Sequence, residues 1–134
     1  MQKVGILNSS IAKVLADLGH TDKVCVGDCG LPVPAGVEKI DLALRLGEPP
    51  FIEVIKEMAR YMQIEKIYLA PETKIQNPKQ WNARQEVLPE SEEEWVMLDS
   101  HEQLKAWEKD CKAVIRTGEI TPFSNVILQS GVIF

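Results

Sequence analysis

Several features that would assign this chain to a familiar functional class are absent from its sequence. No apolar run approaches the roughly 18 residues that a membrane-spanning helix requires, and the first residues carry no signal-peptide pattern. With 15 basic and 20 acidic residues, the formal net charge is −5, so the basic surface typical of nucleic-acid-binding proteins is missing. Neither a Gly-x-Gly-x-x-Gly nor a Walker pattern supports nucleotide binding. We therefore expect a cytoplasmic protein, and a small neutral molecule remains open as its ligand.

Cysteine and histidine are too few for the usual disulfide or metal frameworks. The three cysteines, Cys25, Cys29 and Cys111, are an odd number without a Cys-x-x-Cys pair, so we expect reduced thiols. The two histidines are His20 and His101. His101 begins a His-Glu-x-x-Lys sequence, which lacks the second histidine of a zinc-protease helix. The sequence therefore predicts no metal site.

Apolar patterns predict strands that alternate with helices in one domain, residues 1–134. Six short apolar or β-branched runs are typical of strands, although the second fits a turn equally well: residues 24–26, 40–44, 67–70, 95–98, 113–116 and 126–128. Helices are expected after the capping residues 8–10, from Phe51, from Pro78 and after Ser100. This alternation indicates a layered α/β/α fold with a mixed central sheet.

Two titratable residues lie at the ends of predicted elements in the stretch 18–34. His20 follows a helix that is expected to end at Gly19 in the left-handed conformation. Asp28 follows a strand that starts near Lys23 and begins a loop rich in glycine and proline, which is stiff yet allows close approach of a ligand. Because about five strand residues span roughly 17 Å, the two need not touch within one subunit. An exposed turn histidine and a loop-capping aspartate are the alternative interpretation.

Other polar residues also lie at element ends. His101 is predicted to be the first residue of a helix, because Ser100 and Gln103 have the spacing of a capping box. Lys105 shares a face of that helix with His101. Asn125 lies in a turn-rich loop before the last strand, where its amide can offer both a donor and an acceptor.

Two further stretches give simpler expectations. The acidic run Glu90, Glu92, Glu93 and Glu94 is interpreted as a solvated surface. The terminal residues 131–134, Gly-Val-Ile-Phe, are apolar. Because an exposed apolar tail is unfavourable, we expect it to pack in the core or at a subunit contact.

Four separated motifs, taken in order, resemble the D-ribose pyranase family, which is related to the fucose mutarotases. They are Leu-Gly-His-Thr-Asp at 18–22, Asp-Cys-Gly-Leu-Pro-Val-Pro at 28–34, Val-Ile-Arg-Thr-Gly-Glu at 114–119 and Pro-Phe-Ser-Asn-Val-Ile-Leu at 122–128. The resemblance covers nearly the whole chain and is weakest at 72–94. It implies a cytoplasmic isomerase that interconverts pyranose and furanose forms of ribose. Interconversion of anomers is a further activity that the resemblance leaves open. It also implies no cofactor and a ring of subunits, a homodecamer, with sites at subunit boundaries.

The resemblance also assigns roles by matching position. His20 would be the acid/base residue. The sugar would be contacted by Asp28, His101, Phe123, Ser124 and Asn125, the last three through backbone and amide groups. One departure is Phe123, because the family usually has a tyrosine there. The substitution removes a hydroxyl donor and leaves stacking or backbone contact.

The chemistry of sugar ring opening is compatible with an imidazole. A proton must reach the ring oxygen and another must leave the anomeric hydroxyl. An imidazole with an unperturbed pKa of about 6.5 can perform either step near neutral pH. No covalent nucleophile is required. The alternatives are a mutarotase for another sugar, such as fucose, and a non-catalytic sugar-binding or regulatory subunit associated with sugar transport. Phe123 keeps the second alternative open.

Overall fold

In the computed structural model, which describes residues 1–88 and 95–134, helices cover both faces of a central sheet. The helices are α1 (Ser9–Asp17), α2 (Phe51–Tyr61), α3 (Pro71–Gln76), α4 (Pro78–Val87) and α5 (His101–Trp107), and a 3-10 turn follows at Glu108–Asp110. The strands are β1 (Lys23–Gly27), β2 (Glu38–Asp41), β3 (Ile64–Leu69), β4 (Trp95–Met97), β5 (Ala113–Arg116) and β6 (Val126–Ser130). Within these two ranges, no helix is long and apolar enough to cross a membrane.

The order of the strands decides which loops meet. The sheet runs β2-β5-β1-β6-β3-β4. β6 is antiparallel to β1 and β3, whereas the other neighbouring strands are parallel. The carboxyl ends of the parallel strands and the start of β6 therefore share one edge of the sheet, which we call the carboxyl edge. The opposite edge is called the amino edge. The predicted layered α/β fold with a mixed sheet is confirmed.

The alternating side chains of the strands build a core on each face. Val24 and Val26 of β1 point to the face covered by α1, α2 and α4, whereas Cys25 points to the face covered by α5. On α2, Phe51 and Met58 are buried in the first core, as its helical spacing predicts. Leu104 of α5 is buried in the second core.

Local capping signals appear where the sequence places them. The Asn8 side chain accepts a hydrogen bond from the Ile11 amide at 3.0 Å and begins α1. The Ser100 hydroxyl accepts from the Gln103 amide at 3.2 Å. The Gln103 side chain reaches back one residue further than predicted and accepts from the Asp99 amide at 2.7 Å. Helix α4 begins at Pro78, as predicted.

The prediction that α1 ends at Gly19 in the left-handed conformation is wrong. Gly19 does not have a positive φ; Thr21 has the left-handed conformation instead, with φ of 69°. The reason is a tight turn across residues 19–22. The Asp22 carboxylate accepts from the Gly19 amide at 2.9 Å, and the Asp22 amide donates to the Gly19 carbonyl at 3.2 Å. These bonds end the helix without a glycine cap.

Two other expectations, and one helix that the sequence does not predict, have different outcomes. The core alternative for the C-terminal tail is wrong, because Ile133 and Phe134 are almost fully exposed; a subunit contact stays a prediction. Helix α3 was not predicted, since six residues are too few to show an apolar period. The acidic run at 90–94 lies outside the described residues.

Candidate functional site

Four of the residues singled out by the sequence gather at the carboxyl edge. Asp28 follows β1, His101 follows β4, and Phe123 and Asn125 precede β6. The Asn125 side-chain carbonyl accepts a hydrogen bond from the Asp28 amide at 2.9 Å. The rings of His101 and Phe123 meet edge to face, with centroids 5.2 Å apart. Residues almost 100 positions apart in the chain therefore form one cluster, which we call the carboxyl-edge cluster.

The loop that carries Asp28 is shaped by short hydrogen bonds and one essential glycine. The Asp28 carboxylate accepts from the Gly30 amide at 3.0 Å, and the Cys29 amide donates to the Glu119 carbonyl at 2.9 Å. A Cβ atom on Gly27 would collide with the side chains of Leu31 and Asn125. Gly27 therefore permits the close approach that brings Asn125 to the Asp28 loop.

His101 is held at the start of α5 by a carboxylate. Its backbone amide donates to both oxygens of Glu72, at 3.0 and 3.1 Å. Partial burial and then the nearby Lys105 cation lower the pKa of His101, against the opposite effect of Glu72 and Asp28. The imidazole is therefore predominantly neutral at neutral pH and keeps one nitrogen as an acceptor. Its Nδ1 is buried and has no hydrogen-bond partner within the described chain.

The loop before β6 has an unusual backbone. Phe123 has a φ of 62°, in the left-handed region that side chains other than glycine rarely adopt. The Ser124 hydroxyl donates to the Thr121 carbonyl at 2.8 Å, so that side chain is turned toward its own loop. A contact from Ser124 to a ligand would therefore come from its backbone.

Two residues that sequence reasoning missed hold this loop from behind. The guanidinium of Arg84, on α4, donates to the carbonyls of Asn125 at 3.2 Å and of Phe123 at 3.5 Å. The Thr73 hydroxyl, on α3, donates to the Phe123 carbonyl at 2.8 Å. Burial lowers the pKa of Arg84 to about 9. No local pattern marks a helix arginine as a loop anchor, because its partners lie about 40 residues away.

The amide of Asn125 has one unused donor. Its oxygen is engaged by the Asp28 amide, whereas its Nδ2 is buried and has no hydrogen-bond partner among the described residues. An unpaired buried donor costs about 1–3 kcal/mol. Such a group is suited to pairing with an oxygen of a ligand.

His20 lies at the amino edge of the sheet, away from the carboxyl-edge cluster. It precedes β1 whereas Asp28 follows it, so the two lie at opposite ends of this strand within one chain. Its Nε2 lies 3.2 Å from an oxygen of Glu65. The imidazole is about half exposed and borders a cavity of about 530 Å³. The wall of this cavity includes Leu18, Tyr61 and the C-terminal tail.

The turn that carries His20 is tied to the end of β6. The Thr21 amide donates to the Ser130 carbonyl at 2.9 Å, and the Ser130 amide donates to the Asp22 carbonyl at 2.8 Å. Thr21 and Phe123 are the two residues other than glycine with positive φ in the described chain. Such backbone costs on the order of 1–3 kcal/mol and concentrates at functional sites. Each of them is in a loop that carries a candidate site residue.

Metal-ligating groups do not cluster in the described residues. No set of three or more His, Cys, Asp or Glu side chains in ranges 1–88 and 95–134 could hold a metal ion. The three cysteines are free, and burial raises the pKa of Cys111 to about 12. The thiols are therefore protonated at neutral pH where they are buried.

Comparison with known proteins identifies the family. The sequence matches the RbsD / FucU transport protein family over residues 1–133. The chain belongs to this family. Among RbsD / FucU proteins it is 56% identical over 132 residues to the D-ribose pyranase of Lactococcus lactis subsp. cremoris, which covers 98% of each chain. It is also 52% identical over 134 residues to the D-ribose pyranase of Lactobacillus gasseri, over the full length of both. The resemblance inferred from the motifs is confirmed.

Solved RbsD / FucU structures have the same fold. The structure of Bacillus subtilis RbsD complexed with D-ribose matches the whole of both chains, with a TM-score of 0.94 and 51% identity. The fucose mutarotase from Streptococcus pneumoniae, solved in complex with L-fucose, matches 96% of this chain and 95% of its own, with a TM-score of 0.81. At 19% identity, the second likeness shows the fold alone.

Proposed function

We propose that this protein is a D-ribose pyranase, a cofactor-free isomerase that interconverts the pyranose and furanose forms of D-ribose in the cytoplasm. The observation that carries this proposal is the full-length match, at 51% identity and a TM-score of 0.94, to an RbsD that was solved with D-ribose. The D-ribose pyranases of Lactococcus lactis subsp. cremoris and Lactobacillus gasseri, at 56% and 52% identity, support the same substrate. The whole chain, residues 1–134, acts as one domain in this proposal.

His20 transfers the protons. In the forward direction the His20 imidazolium gives a proton to the ring oxygen, the anomeric hydroxyl gives its proton to water, and the ring C1–O bond breaks as the C1=O bond of the open-chain aldehyde forms. Closure through a different hydroxyl reverses these steps and gives the other ring size. A positioned acid/base group accelerates such a reaction by about 10²- to 10⁴-fold. This gain is sufficient, because sugar rings already open unaided.

The carboxyl-edge cluster binds the sugar. The Asp28 carboxylate accepts hydrogen bonds from sugar hydroxyls, and a charged acceptor makes the stronger bond. Asn125 supplies its unused Nδ2 donor, and the neutral His101 contributes a ring nitrogen. Phe123 offers an apolar ring face beside His101, and Ser124 contributes through its backbone.

A complete site requires two copies of the chain. His20 and the carboxyl-edge cluster lie at opposite edges of one sheet, whereas proton transfer requires contact with the bound sugar. A head-to-tail contact would place the amino edge of one copy against the carboxyl edge of the next. Such heterologous contacts form a ring when the rotation between copies closes. We therefore propose a ring of subunits with each site at a boundary, and the resemblance to the family implies that this ring is a homodecamer.

Saturation-transfer NMR on D-ribose tests this function. The wild type should accelerate exchange between pyranose and furanose signals, and His20→Ala should abolish that acceleration while the protein remains folded. Lys13→Ala, an exposed change on α1, is the control and should exchange like the wild type. Asp28→Ala and His101→Ala should weaken ribose binding.

Three other results would contradict the proposal, and each points to a different conclusion. Binding of ribose without faster exchange would indicate a sugar-binding or regulatory subunit. Acceleration with fucose and none with ribose would indicate a mutarotase for another sugar. Full exchange by His20→Ala would remove His20 from the reaction.

A further inference from the structure

A chain of hydrogen bonds runs from the protein core to Glu65, whose carboxylate lies beside His20. The Tyr68 hydroxyl donates to the side-chain oxygen of Gln129 at 2.7 Å. The Gln129 amide nitrogen then donates to Oε2 of Glu65 at 3.1 Å. The same carboxylate oxygen lies 3.2 Å from Nε2 of His20. An ionised carboxylate can only accept, so at this distance it would pair with a proton on Nε2 of the imidazole.

The inner half of this chain is buried, which distinguishes it from an ordinary surface pair. Tyr68 and Gln129 are only 7% and 6% exposed, whereas the side chains of Glu65 and His20 are 39% and 52% exposed. An exposed ion pair usually contributes about 0–1 kcal/mol and is loosely held. Here a buried amide, itself held by a buried phenol, anchors the carboxylate. Glu65 is therefore kept in one orientation beside His20.

The backbone of β3 also directs Glu65 to this position. Ile64 pairs with Ser130 and Lys66 pairs with the adjacent Gln129, so Glu65 is an extra residue in a β-bulge. In a regular strand, residues an odd number apart face opposite sides. Ile64 and Ile67 nevertheless share one core cluster, because the bulge shifts the alternation. Bulges re-aim side chains and are common beside active sites.

We propose that Glu65 is a positioning residue for His20: its carboxylate holds the proton on Nε2 and leaves Nδ1 as the nitrogen that exchanges protons with the sugar. This inference rests on the proposed function of His20. In a neutral histidine only one of the two ring nitrogens carries a proton. Which one does so is set by the hydrogen bonds that the ring nitrogens make. Hydrogen bonds from Gln129 and then His20 lower the pKa of Glu65, so it stays an ionised acceptor.

The tautomer of His20 is the first test. Long-range ¹H–¹⁵N NMR on protein labelled in its two histidines reads the protonated nitrogen of each neutral ring directly. The His20→Ala spectrum assigns the two signals. A neutral His20 with its proton on Nε2 supports the proposal. A neutral His20 with its proton on Nδ1 overturns it.

Exchange kinetics are the second test. Glu65→Ala should lower kcat about 10- to 100-fold, within the about 10²- to 10⁴-fold gain of an acid/base group. The KM for ribose should change less than about twofold, because Glu65 does not touch the sugar in this mechanism. Glu65→Gln retains an oxygen acceptor and should recover part of kcat. Glu57→Gln, which removes the carboxylate of a surface pair with Arg60, is the control and should leave both constants unchanged.

Two comparisons distinguish a failure of the positioning role of Glu65 from a failure of the proposed function. Unchanged kcat in Glu65→Ala, or an equal loss in Glu57→Gln, overturns the positioning role. A wild type that does not accelerate ring exchange overturns the proposed function, and the tautomer measurement still decides whether Glu65 orients His20. The urea midpoints of both Glu65 variants should match that of the wild type. If the midpoint of Glu65→Ala alone is much lower, the kcat of Glu65→Gln decides the positioning role.

Discussion

Phe123 joins the backbone and side-chain features of the site in one residue. Its left-handed backbone turns the loop, its carbonyl accepts from Thr73 and Arg84, and its ring meets His101 edge to face. The loop is therefore held from behind while the ring faces the cluster. A hydroxyl on this ring would be added without altering the backbone contacts.

We predict that Phe123→Tyr is tolerated and raises the exchange rate, because it restores a donor beside the proposed sugar site. Phe123→Leu, the matched variant, should weaken ribose binding because it removes the aromatic contact with His101. Ribose titrations and saturation-transfer rates measure both effects. A sharply lower rate in Phe123→Tyr would contradict the placement of this loop.

Glu108 is a buried carboxyl without partners. Its side chain is inaccessible to solvent, and neither oxygen has a hydrogen-bond partner in the described residues. Burial raises its pKa to about 7. The Lys105 cation lowers this pKa by a smaller amount, and the Asp28 carboxylate raises it slightly. The folded protein thus keeps a proton that the unfolded chain releases near pH 4.5. Folding stability from this group falls as the pH rises from 4.5 to about 7.

We predict that Glu108→Gln is more stable than the wild type at pH 8 by about 1–3 kcal/mol, because the amide carries no charge to bury. The gain should be smaller at pH 5, where the native carboxyl is protonated. Urea unfolding at the two pH values measures this difference. Glu102→Gln, an exposed change on the preceding helix α5, is the control and should show no such gain.

At the scale of elements, the start of α5 positions His101. Ser100 caps the helix, and Glu72 accepts from the His101 amide. Both groups satisfy amides that a helix N-terminus leaves without partners. The first turn of α5 and the imidazole it carries therefore depend on two side chains outside the helix.

We expect Ser100→Ala to destabilise the protein by about 1 kcal/mol, the usual cost of losing such a cap. Ribose should also bind more weakly, because the turn that holds His101 loosens. Ser100→Asp retains an oxygen acceptor and should behave like the wild type. Urea unfolding and ribose titration of the wild type and the two variants measure these effects. If Ser100→Ala is as stable as the wild type, Ser100 does not have a capping role.

At the scale of the whole molecule, the two halves of the proposed site lie at opposite edges of the sheet. The amino edge carries His20, beside Tyr61 and the exposed apolar residues Ile133 and Phe134. An exposed apolar patch of this kind favours contact with another surface. The carboxyl edge carries the groups that we propose to bind the sugar. The arrangement fits copies that meet head to tail.

We predict that one inactive variant and one that binds ribose weakly restore activity when their subunits are mixed. In a ring of His20→Ala and Asp28→Ala chains, about one boundary in four would combine an intact His20 with an intact Asp28. The mixture should recover up to about a quarter of the wild-type exchange rate at low ribose. The His20→Ala protein mixed with the double variant is the control and should stay inactive. Mixed rings without recovery would exclude a shared site.

The sequence by itself determined most of the elements and the starts of several helices. Asn8, Ser100 and Pro78 start helices through bonds or dihedral preferences that act within three residues, so their effect can be read locally. The strand end at Asp28 follows from a local apolar run, whereas the turn that carries His20 is closed by Asp22 and not by the predicted glycine cap. Their chemical roles came from the resemblance of the surrounding motifs to a known family.

Only the tertiary structure decided which of these ends meet. The antiparallel β6 brings Asn125 to Asp28, 97 residues away, and its pairing with β3 brings Gln129 to Glu65, 64 residues away. The bulge at Glu65 and the partners of Arg84 depend on the same strand order. Such contacts arise from sheet register and packing, and no short stretch of sequence contains that information.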